Sequence, residues 1–382
     1  MTTHRTDVVI IGGGIVGASA ALALRGRGRA VVLLERDLCG SRSSGVNYGG
    51  VRRQGRLPIQ LPLAQRAHGI WARLPQLLGI DGEYRRSGHF KIARSAPDMA
   101  ALEAYAELSR DFDLGLQLLS AAQVRARCDW LGGVAVGGSL CPEDGQANPR
   151  LVSPAFARAA ARAGATVLER HAVQRVDHDG QNFLVTAGEG GALTVQAPVL
   201  LNTAGAWAGA LAAQFGEPVP MHSGHPAMAV TEPLPAFLPW SLGVEGGGIY
   251  ARQAATGQVV MGGGQGLPLD DRRTRVDAPT LTQLLHQATA LLPPLRHAQI
   301  LRTWSGTEGY LPDRQPVLGP SATTPGLFHG FGFAGAGFQI GPAAGEVLAE
   351  LVHQGRSTTP IDAFSITRFA PVASTCPTPA PP

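Results

Sequence analysis

The stretch from Asp7 to Arg36, DVVIIGGGIVGASAALALRGRGRAVVLLER, restricts the fold more than any other part of the chain. Val8 to Ile11 form the uninterrupted apolar run that a strand buried on both faces requires. Gly12, Gly14 and Gly17 follow. The first allows a tight turn, the second lets the backbone approach a pyrophosphate, and the third lets a helix pack closely on the strand. The Ala/Leu-rich helix offers its N-terminal amides to phosphate, and a second apolar strand, Val31 to Leu34, closes on Glu35. Glu35 stands roughly 20 residues past the glycines, where a carboxylate accepts hydrogen bonds from a ribose diol. Glycines alone at this spacing mark any tight turn. With strand, helix, second strand and terminal carboxylate they predict a dinucleotide site, and leave NAD and FAD both open.

A chain of 382 residues is long for one compact unit, so two domains sharing a cofactor cleft are expected. The net charge of +4 is carried by arginine, because Lys91 is the only lysine. No basic run is interleaved with aromatics, which sets nucleic acid aside. Cys39, Cys128, Cys141 and Cys376 lie far apart without a CxxC pair; they suit a reducing compartment and argue against an iron–sulfur or zinc site. The run Met1 to Asp7 is too short and polar for a signal peptide. No stretch reaches the roughly 18 apolar residues of a membrane span. A cytoplasmic protein is expected, with peripheral contact at the inner membrane face through a partner left open.

Beyond Glu35 the segment RDLCGSRSSGVNYGGVRRQGR is a Gly/Ser/Arg loop without periodicity, and a long loop next to a ribose-binding carboxylate points to function. Residues 59–78 have helical spacing; a strand near Gly88–Ala93 and a helix near Asp98–Phe112 follow. Asn148-Pro149 opens an Ala-rich helix that ends at Gly164. Strands are expected over Ala165–Glu169 and Val173–Asp177, with a hairpin at Asp179-Gly180 and a buried strand from Val199. Met228–Val230, Gly248–Arg252 and Gln258–Met261 alternate as strands of an antiparallel sheet. A helix over Thr280–Leu292 stops at Pro293-Pro294, and another runs from about Gly341 to Val352. The Pro/Thr/Ser-rich tail, 370–382, is expected to be disordered.

In order along the chain stand the N-terminal βαβ unit with Glu35, SGVNYGGVRRQGR, DGQANP, NTAGAW, VTEP, WSGTEGYLPDRQPVLGP and FGFAGAGFQIGP. Together they resemble the FAD-dependent D-amino acid oxidase superfamily, which includes glycine and sarcosine oxidases. Within it the chain is most similar to the flavoprotein subunits of opine oxidases, hydrogen cyanide synthase and D-hydroxyproline dehydrogenase. The resemblance spans residues 7 to about 368 and implies an α/β fold: a discontinuous, Rossmann-like FAD-binding domain (1–80, 141–218 and 301–369) with an α+β substrate domain built on an antiparallel sheet (81–140 and 219–300). It implies that Gly12, Gly14, Gly17, Glu35 and Arg36 hold the ADP moiety. Ser43 and Ser44 would meet the pyrophosphate, and Val173 the adenine. Ala204, Gly205 and Trp207 would lie along the cofactor, with Gly332, Gly335, Gly337, Phe338 and Gln339 facing the isoalloxazine. FAD held without a covalent bond is expected, since no cysteine lies in the C-terminal glycine loop.

The chemistry so implied is oxidation of a C–N bond in an amino acid, imino acid or opine, which needs orientation rather than a triad or a metal. No metal-ligand constellation is found in the sequence. The family's carboxylate-binding arginine would fall at Glu308, and its lysine and histidine at Gln339 and Ala336; none is present. Tyr250 matches a substrate-contacting tyrosine, and Arg52, Arg53 and Arg252 are the candidate carboxylate partners, Arg52 first. For each the alternative is a solvated or cofactor-phosphate contact. Glu308 suits a substrate with a cationic arm or a secondary ammonium; the alternative is a structural carboxylate. His225 and His329 are within reach of the flavin by sequence position, though a lone histidine is more often packed. The strand around Tyr250 lacks the lysine that sarcosine-type oxidases place near flavin N5, so a dehydrogenase passing electrons to a partner subunit or quinone is expected. A peroxide-forming oxidase, and an electron-relay subunit without its own substrate site, are the alternatives.

Overall fold

Val8–Ile11 occupies an inner position of a six-stranded sheet, in a computed structural model that describes residues 2–133 and 135–369. The tail expected to be disordered lies outside the described residues. The strand order is Val317–Pro320, Leu327–Phe331, Val199–Asn202, Val8–Ile11, Val31–Leu34, Thr166–Leu168, parallel except for the first pair. Every residue of Val8–Ile11 and Val31–Leu34 is buried, as a parallel sheet covered on both faces demands.

Four helices matter for the site: α1 (Ile15–Arg25), α2 (Leu61–Trp71), α3 (Pro149–Arg162) and α4 (Gly337–Gln354). Helix α1 packs against both α3 and α4. It does so closely because Gly341 and Gly345, four residues apart on one face of α4, carry no side chain. A Cβ on Gly345 would stand 2.1 Å from Ser19 Oγ and 2.6 Å from the Ala20 amide nitrogen. Ser19 Oγ donates back to Ile15 O at 2.6 Å. Packing on α1 also carries α4 one turn further toward the N-terminus than its sequence indicates, through Gly337 and Phe338, against a poor intrinsic propensity.

The structure differs from the sequence reading in two further places. The 59–78 helix is broken after Trp71, and Leu74–Leu78 forms a separate turn with Pro75 near its start, because proline cannot donate within a continuing helix. Thr2–Arg5, for which no element was expected, is a strand paired in parallel with Leu193–Ala197 at the edge of a four-stranded sheet.

An eight-stranded sheet roofs the first. Its order is Ile300–Ser305, Pro226–Pro233, Gln258–Gln265, Tyr250–Gln253, Ser241–Val244, His89–Ala93, Gly137–Cys141, Gln117–Ser120. It is antiparallel apart from the Ser241–Val244 and His89–Ala93 pair. The expected boundary at 301 falls inside the strand Ile300–Ser305. One face buries Phe90, Ile92, Leu242, Ala251 and Met261 in a cluster with Leu284, Ala288 and Leu291 of the helix Ala278–Leu291. The alternate residues point the other way. Register lines them up across five strand pairs: Lys91, Gly243, Tyr250, Gly262, Met228, Trp304.

Replacing Gly345 by Ala is expected to overpack the α1–α4 contact and destabilise by about 1–3 kcal/mol. Gly69→Ala, on α2 with nothing within 4 Å of the added methyl, is expected to stabilise by about 0.4–1 kcal/mol. Thermal unfolding followed by circular dichroism checks both: the midpoint falls for the first and rises for the second.

Candidate active site

Between the two sheets runs a cavity of about 820 Å³. At one end the strand Val8–Ile11 delivers the chain to Gly12, whose φ of +106° disfavours a side chain and where a Cβ would stand 2.4 Å from Thr203 O. No side chain caps α1 at Gly14, and Ile15 N donates to Ser44 Oγ at 3.0 Å. The first turn of α1 therefore presents amides and a positive dipole end to the cavity. Glu35 accepts from the amides of Gly13 and Asp37 at 2.7 and 2.8 Å. Burial raises its carboxyl above the usual range, against the pull of those two amides. Arg36 stacks on Trp207, 3.7 Å from the ring centre, and its Nη2 is buried without a partner among the described residues.

The cavity brings together Gly12, Gly14, Glu35, Arg36, Ser43, Ser44, Val173, Ala204, Gly205, Trp207, Gly332, Gly335, Gly337 and Phe338. Two expected cofactor residues stand outside it. Gly17 supports the site from behind, since a Cβ there would meet Gly12 O at 2.1 Å. Gln339, expected to face the isoalloxazine, turns into the core instead: its Nε2 donates to Ala64 O at 3.0 Å, because the first turn of α4 lies against α2. The remaining lining fits FAD. The orphaned Arg36 nitrogen and Glu35 mark an adenosine end, Gly205 opens on space with φ +60°, and the loop Gly332–Gly337 bounds a second, wide end.

The cavity lining there carries charges of both signs. Glu308 is enclosed there, its Oε2 3.9 Å from the point a Cβ of Gly335 would occupy, and accepts from Tyr310 OH at 2.8 Å. Burial raises its carboxyl above the ordinary value, with Tyr310 and Arg314 opposing. Tyr250 lies beside it and meets Tyr48 edge to face at 4.9 Å. Burial, with Glu308 nearby, pushes the Tyr250 phenol up, so it stays protonated. Gly262 makes room for Tyr250 and Met228, which a Cβ would contact at 2.4 and 2.5 Å.

Beyond Tyr48 stand Arg52, Arg56, His89 and Lys91. Arg52 donates to Gln54 O, and Lys91 is ion-paired with Glu245. His89 Nδ1 meets Gln54 Oε1 at 2.8 Å, while Gln54 Nε2 donates to Ser139 O. The Gln54 oxygen can only accept, so Nδ1 carries the proton. Burial and the neighbouring Arg52, Lys91 and Arg56 hold the ring neutral, well below its ordinary pKa.

The other candidates are elsewhere. Arg252 Nε donates to Tyr48 O at 2.6 Å and does not line the cavity; it pins the loop rather than facing a ligand. Arg53 is buried on Asp144 at 3.3 Å. His329 is fully buried against Glu217 at 2.9 Å and Asn202 at 3.3 Å, and His225 is held near Thr307 at 3.4 Å. Arg56, His89, Lys91 and Tyr310 are not among the candidate site residues read from the sequence. Lys91 reaches the site only through register, opposite Gly243 and one strand from Tyr250.

Among the described residues no helix is long and apolar enough to cross a membrane, and no group of three or more His, Cys, Asp or Glu is gathered as for a metal. Glycine oxidase of Geobacillus kaustophilus is 28% identical over 376 residues, 96% of this chain and 98% of that protein. Its crystal structure superposes with a TM-score of 0.88 over 96% of this chain and 99% of that one, at 26% identity. An opine oxidase subunit of Rhizobium meliloti is 26% identical over 378 residues, 96% of this chain and 98% of that protein. L-proline dehydrogenase from P. horikoshii shares the fold, with a TM-score of 0.89 at 24% identity over 96% and 98% of the two chains. The family model for FAD dependent oxidoreductases, DAO, matches residues 7–351: the chain belongs to that family.

Proposed function

We propose that the protein oxidises the C–N bond of a secondary amine bearing a carboxylate, an opine or imino acid, and hands the electrons to a partner subunit or quinone. One observation carries the substrate side: Glu308, beside the glycine loop, lines the same cavity as Tyr250, Arg52 and Arg56. Bound FAD supplies the acceptor for a hydride leaving the carbon next to nitrogen. The protein's own groups then orient and deprotonate. Glu308 holds the substrate ammonium and takes one proton, leaving the neutral amine that C–H cleavage requires. Arg52 takes the carboxylate, a charge-assisted contact that fixes the carbon against the glycine loop. Tyr250, protonated and flanked by Met228, limits how the substrate rolls between the two.

The partner follows from two relatives that are themselves named as subunits, of the opine oxidase of Rhizobium meliloti and of the hydrogen cyanide synthase of Pseudomonas aeruginosa. A peroxide-forming oxidase is the second reading, favoured by Lys91 entering the cavity. The ion pair of Lys91 with Glu245 weighs against it, because the lysine charge is already compensated.

Anaerobic stopped-flow reduction with a panel of amines tests the function: bleaching of the oxidised flavin by carboxylated secondary amines is expected, and bleaching by none contradicts it. Glu308→Gln is expected to slow reduction about 10²-fold, the lower end for a positioned base. Because the carboxylate form is the active one, the rate falls as pH drops through the raised Glu308 value, and this acidic limb disappears in the variant. Mixed with air, the reduced enzyme is expected to reoxidise slowly and a soluble quinone to reoxidise it fast; rapid reaction with oxygen would establish the oxidase.

A further inference from the structure

Glu308 has two carboxylate oxygens, and the protein engages one of them. Oε2 accepts from Tyr310 OH at 2.8 Å. Oε1 makes no hydrogen bond among the described residues and is not occluded, so it opens onto the cavity that Glu308 lines. Tyr250 also borders the carboxylate, but its hydroxyl goes to Met228 Sδ at 3.4 Å. The other ionisable groups around Glu308 are Arg314 of the turn that follows, His222 stacked on Tyr310, and His225 beside Thr307. Among the described residues only Tyr310 bonds the carboxylate.

The local pairing explains how Tyr310 gets there. The short strand Glu308–Tyr310 runs antiparallel to His222–Gly224, with Gly224 opposite Glu308 and His222 opposite Tyr310. Glu308 and Tyr310, two residues apart, share one face of their strand. On that face a Cβ at Gly224 would stand 2.5 Å from Tyr310 Cε2. The ring therefore lies diagonally over Gly224 and sets its hydroxyl on the neighbouring carboxylate. His222 stacks on it with 5.7 Å between ring centres at 23°, and the Arg314 guanidinium stands 6.0 Å from its centre. A phenol that donates to a carboxylate favours the charged form, and here it opposes the burial that raises the Glu308 carboxyl. Burial and Glu308 push the Tyr310 phenol up in turn, so it keeps its proton.

We propose that Tyr310 is a positioning residue: it pins Glu308 through Oε2 and leaves Oε1 as the oxygen that meets the substrate ammonium. This rests on the reading of Glu308 as the group that holds the ammonium, and adds the residue that prepares it. By the same bond Tyr310 keeps the carboxylate charged at a lower pH than burial alone allows.

Two ligands without an amine to oxidise read Glu308 directly in the FAD-loaded enzyme. Dimethylsulfonioacetate carries a fixed positive charge, and 3-methylbutanoate has the same shape with carbon in place of the sulfonium. Isothermal titration in alkaline buffer is expected to show the sulfonium binding at least about tenfold more tightly, as an enclosed contact between opposite charges gives. The preference is expected to fall away at lower pH as Glu308 takes up a proton, and to be absent at every pH in Glu308→Gln. Tyr310→Phe moves the midpoint of that loss upward by about one to two pH units, the size of one hydrogen bond to a charged group. Gly224→Ala, which displaces the ring and keeps the hydroxyl, moves it the same way and serves where Tyr310→Phe does not fold. Tyr250→Phe leaves the midpoint in place. A midpoint unmoved in Tyr310→Phe, or one that moves in Tyr250→Phe instead, overturns the positioning role even if amines are oxidised through Glu308. Equal binding of the two ligands to the unaltered enzyme overturns it as well, because Oε1 then does not face the ligand. A midpoint that shifts as expected while no amine bleaches the flavin upholds Tyr310 and removes the amine reading alone.

Discussion

The substrate end of the cavity depends on a carboxylate that lies outside it. Asp144 is fully buried, accepts from the amides of Arg53 and Gln54 at 2.9 Å each, and takes Arg53 Nε at 3.3 Å. A buried carboxylate is tolerable only when its oxygens are paired, and here backbone amides and a guanidinium do the pairing. The result is positional. With residues 53 and 54 clamped, Arg52 and Arg56 leave the loop on the cavity side, and the Gln54 side chain reaches both Ser139 and His89. Opening one side of such a pair destabilises by about 3–5 kcal/mol, so Asp144 holds the loop's course before any ligand binds.

How much of this the sequence disclosed follows from where each residue's constraint comes from. The cofactor end was legible because its determinants are local. Gly12, Gly14, Gly17 and Glu35 act through turn geometry and spacing within one βαβ unit, and those are written consecutively in the chain. Glu308 could be singled out as a candidate because it stands where the resembling motif has an arginine, and it does line the cavity. Lys91 could not be singled out, because what carries it into the site is a parallel pairing of Ser241–Val244 with His89–Ala93, and register between segments so far apart in the chain leaves no mark on either. Arg252 was misplaced for the same reason in reverse: it shares the cavity-facing side of its strand with Tyr250, yet Tyr48 O lies in its way and captures it. Gln339 carries a flavin-loop address but is taken by α2.

Charges of both signs in the cavity lining also bear on how the cavity is stable before substrate binds. Two cations about 6 Å apart repel by about 3 kcal/mol at an effective dielectric near 20. Left alone, Arg52, Arg56 and Lys91 would sum to a penalty that a marginally stable fold cannot absorb. Glu245 lowers it by pairing Lys91 from the turn that runs on through Gly246, Gly247 and Gly248, all at positive φ. That leaves a smaller repulsion between the two guanidiniums, held in place by Asp144 and the packing around it. Among the described residues neither guanidinium is ion-paired with a carboxylate, so their charge stays open to the cavity they line. A site of this kind favours its ligand by the strain it already carries. Anything that neutralised the pole inside the protein, such as a carboxylate placed within reach of Arg56, would stabilise the fold and weaken the site together.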